Sequence, residues 1–267
     1  MNRYKAIAML DSGVGGLTVA QEIFRQLPAE NVVYFGDTAH MPYGPRSPEQ
    51  IRGFVYEISA FLQTQEVKAL IIACNVATAA GLNYYAQKVD LPLLGVIEPA
   101  VRAALRHTKT GKIGVIGTAG TVKSGAYSRA FQRLAPEVEL YSQACPLFVL
   151  IVENGLVNSP EARCVAQKYL QPLLAKGIDV LIMGCTHYPL LAGVVQEIVG
   201  PAVRLISSAE ETARETKELL ACRNLLRQEN PAPQHRYFVS GPAKPFADLA
   251  ATILRRKPNA YQVILPW

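Results

Sequence analysis

The sequence predicts an α/β fold: two similar α/β units with mainly parallel sheets, facing each other across a central cleft. Three observations lead there. Strand-length apolar runs and helix-length amphipathic runs alternate almost throughout, which implies parallel strands joined by crossover helices. A glycine-rich turn follows the apolar run ending at Leu10 and another follows the run ending at Ile116, so the opening of one half is echoed in the other. Each half then closes an apolar strand on a cysteine: Leu70-Ile71-Ile72-Ala73-Cys74-Asn75 and Leu181-Ile182-Met183-Gly184-Cys185-Thr186.

The elements follow in order. Residues 6–10 read as the first strand, Asp11-Ser12-Gly13-Val14-Gly15-Gly16 as a loop, and 17–27 as an amphipathic helix. The second strand, 32–35, leads into a Pro/Gly-rich loop at 36–46. Ser47-Pro48-Glu49-Gln50 offers a cap, a proline at the first helical position and a glutamine three residues past the cap, so a helix starts there. The strand 67–73 delivers Cys74 to a helix-forming segment, and a strand at 93–97 reaches Glu98-Pro99, where the chain crosses into the second unit. There 112–117 is the first strand, 122–134 a helix, and 138–143 a strand leading to Cys145-Pro146 and, past the apolar run 148–152, to Glu153. Helix 160–176 precedes the Cys185 strand. After it Leu190, Leu191, Val194, Val195 and Ile198 resume helical spacing, with Pro189 in a first turn. Strand 203–206 reaches Ser207-Ser208, which caps a helix at 209–222. A surface linker, 228–234, carries Pro231 and Pro233; a strand at 236–239, a helix near 246–254 and a strand at 261–265 complete the chain. This assigns residues 1–97 plus 208–267 to the first domain and 98–207 to the second.

Composition narrows the function classes. Half of the 267 residues are hydrophobic and 18% are charged, enough for sizeable cores and too apolar for wholesale disorder. No apolar run reaches membrane-spanning length, and Met1-Asn2-Arg3-Tyr4-Lys5 leads straight into a strand rather than a signal sequence, so no membrane partner is expected. Five cysteines, without Cys-x-x-Cys spacing or a His-rich neighbourhood, imply reduced thiols in the cytoplasm rather than disulfides or a metal site. The net charge of +6 is spread over scattered Lys and Arg, which reads as a basic solvated surface that attracts small anions. No nucleic-acid partner is expected.

The paired cysteines carry the chemistry. A cysteine at the carboxyl end of a strand faces the start of the next helix, whose unpaired N–H groups and partial positive charge favour a thiolate and can hold a carboxylate. Inverting an sp³ carbon that bears an acidic hydrogen takes a base on one face and a proton donor on the other. Two thiols opposed across a cleft do this without moving, and a pKa of about 8.5 keeps thiol and thiolate both within reach near neutral pH. Cys145, Cys164 and Cys222 lack the twin placement and read as small hydrophobes. With no lysine motif for a pyridoxal Schiff base, no cofactor is expected. The charge of an α-carbanion then falls to donors aimed in advance at the substrate carboxylate, which Asn75, Thr186 and the N–H groups of both turns could supply.

Asp11-Ser12-Gly13-Val14-Gly15-Gly16-Leu17-Thr18-Val19, Pro42-Tyr43-Gly44, Ala73-Cys74-Asn75, Gly117-Thr118 with Thr121-Val122, and Gly184-Cys185-Thr186-His187-Tyr188-Pro189-Leu190-Leu191 together closely resemble the glutamate racemases. These are cofactor-independent bacterial enzymes that supply D-glutamate for peptidoglycan. The resemblance runs from about Lys5 to Ala213; beyond that only the general pattern is shared. It implies that Cys74 serves D-glutamate and Cys185 L-glutamate. It also implies that Asp11 assists Cys74 and His187 assists Cys185, with Glu153 a further candidate near the second thiol. Asp11, Ser12, Pro42, Tyr43, Gly44, Asn75, Val76, Thr118, Thr121, Thr186 and His187 match substrate-contacting positions, and Asp37 matches an acidic position flanking the site. A charged Asp11 close to Cys74 would raise that thiol's pKa, so its help must lie in accepting or aligning the thiol proton. An imidazolium at His187 favours a neighbouring thiolate. A homodimer is the expected oligomer.

The sequence departs from the family pattern at a few places. Val76 stands where threonine is usual, keeping the shape and losing the hydroxyl, and Ser207 replaces an aspartate at a helix cap. Met41 and Leu150 are milder departures in loops. Two other readings remain. A dinucleotide-binding module would use Gly13-x-Gly15 after the first strand with Asp37 as the ribose acid, but Thr18 occupies the place of the third glycine. A racemase of another acidic amino acid such as aspartate would share the thiols; His187 after Cys185-Thr186 favours the glutamate branch, since the aspartate branch usually carries an acid there.

Overall fold

The structure, a computed structural model, describes residues 2–230 and 232–266. In the first half β1 (Ala6–Asp11), α1 (Leu17–Gln26), β2 (Val32–Gly36), α2 (Pro48–Gln63), β3 (Val67–Ile72), α3 (Asn75–Ala86) and β4 (Leu93–Gly95) alternate as expected. The second half runs through α4 (Ile97–His107), β5 (Lys112–Gly117), α5 (Ala119–Lys123), α6 (Ala126–Leu134), β6 (Glu139–Ala144), α7 (Leu147–Glu153) and α8 (Pro160–Leu174). It continues with β7 (Val180–Gly184), a 3₁₀ turn at Tyr188–Leu191, α9 (Ala192–Val199) and β8 (Arg204–Ser207). Then α10 (Ser208–Cys222), β9 (His235–Val239), α11 (Ala243–Leu254) and β10 (Ala260–Gln262) return to the first half. The linker 228–234 joins α10 to β9, and its Pro231 lies outside the described residues.

Two parallel sheets result, one in the order β10-β9-β2-β1-β3-β4 and the other β6-β5-β7-β8. Four strands of the first, β2-β1-β3-β4, repeat the order of the second, which gives the sequence echo a structural meaning: β3 and β7, the cysteine strands, hold equivalent places beside β1 and β5. Parallel strands covered by helices on both faces read as continuous apolar runs, and all six residues of β1 and of β3 are buried. Alternate residues serve opposite faces. Ile7, Met9 and Ile71 pack with α1, α10 and α11, while Ala8, Leu10 and Ile72 pack with α2 and α3. In the second sheet Leu181 and Met183 pack with α7, α8 and α9, and Val180 and Ile182 with α4 and α6.

The helix starts follow side-chain chemistry. At α2 the Ser47 hydroxyl accepts from Gln50 N while Gln50 Oε1 accepts from Ser47 N, the reciprocal pair anticipated from the sequence. Ser207 caps α10 by accepting from Glu210 N, so serine does the work of the family's usual aspartate there.

Four readings change. The strand expected at 93–97 stops at Gly95, because Ile97 opens α4; Pro99 sits in the first turn, where its missing N–H costs nothing, and Ala100, Val101, Ala103 and Ala104 are buried. The single helix expected at 122–134 is two, α5 and α6, parted at Gly125, whose φ of 65° is left-handed. The apolar run 148–152, given no element from the sequence, is part of α7, so Glu153 ends a helix. The last strand is Ala260–Gln262 rather than 261–265.

Candidate active site

Cys74 and Cys185 follow the carboxyl ends of β3 and β7, and both line one cavity between the two sheets, of about 500 Å³ counted with its mouth. The cysteines are 4% and 6% exposed, so the cavity is the route by which a small molecule reaches either sulfur. Thirteen of the fifteen residues expected at the site line it: Ser12, Pro42, Tyr43, Gly44, Cys74, Asn75, Val76, Thr118, Thr121, Glu153, Cys185, Thr186 and His187. Asp11 and Asp37 do not; both are fully buried behind the wall. Gly13, Met41 and Val149 complete the lining.

The two sulfurs have unlike neighbours. Cys74 is the N-cap of α3, and its thiol donates to Ser12 Oγ at 3.6 Å. Burial and then the Asp11 carboxylate push this thiol up to about 12, against the Ala77 N–H and the Ser12 hydroxyl, which favour the anion. Cys74 is therefore the protonated partner at rest. Asp11 accepts from Gly13 N through Oδ2 (2.9 Å), while its Oδ1 has no partner among the described residues. Burial raises the Asp11 carboxyl, opposed by His187 and by the N–H groups of Gly16, Gly13 and Ser12.

On the other side His187 Nδ1 lies 3.9 Å from Cys185 Sγ, and its Nε2 lies 3.2 Å from Glu153 Oε1. Burial works against the imidazolium, but Cys185, Glu153 and Asp11 outweigh it and hold His187 up at about 10. The ring is therefore cationic at neutral pH and directs one N–H at the sulfur and the other at the carboxylate. A cation beside Cys185 favours its thiolate. The two sulfurs thus face one cavity with a buried carboxylate behind Cys74 and a cationic ring beside Cys185.

Contacts between the units fix these walls. Thr18 Oγ1 donates to Thr186 O at 2.8 Å, tying the start of α1 to the second cysteine turn. Gly15 lies so close that a Cβ there would come within 2.6 Å of the His187 ring, and a Cβ on Gly120 would meet the Gly44 carbonyl at 2.7 Å. Across the gap Tyr127 OH donates to Asn75 Oδ1 at 2.9 Å. Thr118 caps α5 by accepting from Thr121 N, and the two hydroxyls lie 3.1 Å apart. Asp37 is an anchor: Tyr43 OH donates to its Oδ2 and Ser240 Oγ to its Oδ1, both at 2.6 Å, and His40 Nδ1 lies 2.9 Å away. That engagement removes the acid a dinucleotide ribose would need.

Set against known proteins, the Asp/Glu/Hydantoin racemase family matches residues 7–216. This chain belongs to that family. The glutamate racemase of Oceanobacillus iheyensis is 46% identical over 252 residues, 94% of this chain and 92% of that protein. The crystal structure of glutamate racemase isoform RacE1 from Bacillus anthracis is 44% identical, covers 99% of both chains and superposes with a TM-score of 0.96. That of the Francisella tularensis glutamate racemase in complex with D-glutamate is 32% identical, covering 99% of this chain and 98% of that one, with a TM-score of 0.90.

Some site features have no signature in the sequence. Tyr127 lies 52 positions from Asn75, and only the packing of α6 on the Cys74 turn brings them together. Gly15 reads as a turn former; its contact with His187 comes from the meeting of the two units.

Proposed function

We propose that this protein interconverts L- and D-glutamate without a cofactor, using Cys74 and Cys185 as opposed acid and base. The observation that carries the proposal is the placement of the two cysteines: equivalent strand ends of two like-ordered sheets, opening on one cavity, with unlike charges behind them. The names of the relatives, and the D-glutamate bound by one of them, support the substrate.

With L-glutamate the Cys185 thiolate takes the α-proton while the Cys74 thiol delivers its own to the opposite face. D-Glutamate leaves behind a Cys185 thiol and a Cys74 thiolate, and the reverse reaction runs the same path backwards. The electron pair left on the α-carbon delocalises into the α-carboxylate. His187 is the one cationic side chain among the described residues lining the cavity, so neutral donors must hold the substrate. Asn75, Thr186, Ser12, Thr118 and Thr121, with nearby backbone N–H groups, fill that role without late rearrangement. Pro42, Tyr43 and Gly44 close the wall, and the Asp37 bonds hold Tyr43 in it. His187 stabilises the Cys185 thiolate, Glu153 the imidazolium, and Asp11 keeps the Cys74 proton in place. Residues 1–97 plus 208–267 form one domain and 98–207 the other. The physiological setting is the cytoplasm, where a homodimer supplies D-glutamate for peptidoglycan. Among the described residues no helix is long and apolar enough to cross a membrane.

Incubation with each glutamate enantiomer in D₂O tests the scheme, following α-deuterium by NMR together with optical rotation. Deuterium should enter the product enantiomer as rotation decays to zero, and Cys74→Ser or Cys185→Ser should each cut racemisation by about 10²–10⁴-fold with an unchanged circular dichroism spectrum. Full activity in either variant removes that sulfur from the mechanism.

A further inference from the structure

Between the two cysteine turns stands a side chain that the proton transfers do not use. Tyr127, on α6 of the second unit, is 3% exposed, and its hydroxyl donates to Oδ1 of Asn75, the residue after Cys74 in the first unit. The same hydroxyl lies 3.1 Å from where a Cβ on Gly184, the residue before Cys185, would stand. Asn75 is itself 3% exposed and lines the cavity, yet its Nδ2 has no hydrogen-bond partner among the described residues.

A carboxamide has an oxygen that only accepts and a nitrogen that only donates, and its partners decide which faces where. Burial keeps the Tyr127 phenol protonated well beyond the ordinary tyrosine range, so it remains a donor and claims the Asn75 oxygen. The buried NH₂ is left over, with donor capacity that the protein does not use. Turned the other way, Asn75 would present its oxygen to an anionic substrate and repel it. Buried donors are rarely left unmatched, and the group that suits this one is a carboxylate in the cavity.

We propose that Tyr127 is a positioning residue for catalysis: its hydroxyl pins the Asn75 amide so that Nδ2 is offered to the substrate carboxylate. The pin crosses from one unit to the other and lies between both cysteine turns. The donor is therefore set only when those turns are juxtaposed, which ties substrate recognition to assembly of the acid/base pair. This rests on the racemase reading of the cavity, and it adds a residue whose effect passes through Asn75 rather than through contact with the substrate.

The test is a double-mutant cycle in the full-length protein, with Tyr127→Phe, Asn75→Ala and the double variant assayed for kcat and KM with each enantiomer. Tyr127→Phe keeps the ring and removes the pin. It should raise KM for both enantiomers about tenfold, with Tm measured alongside. The double variant should be no worse than Asn75→Ala alone, because a pin is worthless once the amide is gone. A loss in the double variant equal to the product of the two single losses, or a Tyr127→Phe enzyme with wild-type KM, overturns the proposal. A loss that follows the fall in Tm, equal with and without Asn75, assigns Tyr127 to packing and overturns it too. Absence of glutamate racemisation by the wild-type protein overturns the functional reading itself, a result distinct from any of these.

Discussion

Replacing Glu153 with glutamine tests how the charge behind Cys185 is held. Glu153→Gln keeps the shape and a hydrogen-bonding group beside His187 Nε2 but removes the negative charge now 3.2 Å away. A hydrogen bond to a charged group contributes about 1.5–3 kcal/mol, and one pKa unit corresponds to about 1.4 kcal/mol, giving a range of about 1–2 units. The 3.2 Å separation is long for such a bond, and the Glu153 side chain is 22% exposed, so the lower end applies: about one unit. His187 stands at about 10 in the folded protein against an ordinary 6.5, and burial already opposes its charge. Loss of Glu153 therefore moves it downward. The alkaline limb of log(kcat/KM), which belongs to the coupled cluster rather than to one group, should begin about one unit lower in pH. Because the enantiomers have equal free energy in solution, kcat/KM must be the same in both directions at every pH, for wild type and variant alike. The shift must therefore appear identically with L- and D-glutamate. Polarimetric rates from pH 6 to about 10.5 would measure it. An alkaline limb that stays in place while the rate falls by one factor at every pH refutes the assignment of Glu153 to the imidazolium charge.

Three further outcomes follow from the same geometry. Val76→Thr restores a hydroxyl to a cavity-lining position 9% exposed, and should lower KM for glutamate about fivefold; an unchanged KM shows that no polar group there lacks a partner. Gly15→Ala drives a methyl group to within 2.6 Å of the His187 ring, costing about 1–3 kcal/mol by overpacking, so both Tm and kcat should fall; wild-type values for both show that the two units can part there freely. His187 has a folded-state pKa raised from 6.5 to about 10, so its contribution to stability is complete below 6.5 and is lost as pH rises through about 10. Urea unfolding at pH 6, 8 and 10 should show that decline, and His187→Gln should remove this part of it; a decline of the same size in the variant assigns it to other groups.

Much of this site could be read from residues close together in sequence. Cys74 and Cys185 stand out because an apolar strand, a small residue and a helix start surround each of them within a dozen positions. The α2 and α10 starts were legible for the same reason, since a cap and its partner lie three residues apart. What escaped depends on distant neighbours. The helix that ends at Glu153 has no clear local signature, because α7 is only seven residues long and is held by Phe148, Ile151 and Val152 packing on the β7 side of the second core. The break at Gly125 follows from a left-handed backbone that few sequence patterns announce. Asp37 matched an acid flanking the site, but only the fold brings Ser240 to it from 203 positions away and turns it into an anchor.

The unlike neighbours of the two sulfurs have a consequence for repeated turnover. In the proposed scheme, each passage from L to D would leave the protein with its proton on the wrong sulfur: Cys74 anionic beside buried Asp11, and the proton on Cys185 beside a cationic ring. That state is the less comfortable of the two, and it relaxes either by carrying a D-molecule back or by handing protons round through solvent. Under that scheme the free protein would keep a short memory of the handedness it last released. When substrate is abundant and one enantiomer dominates, the pace would then be set by how quickly that memory fades.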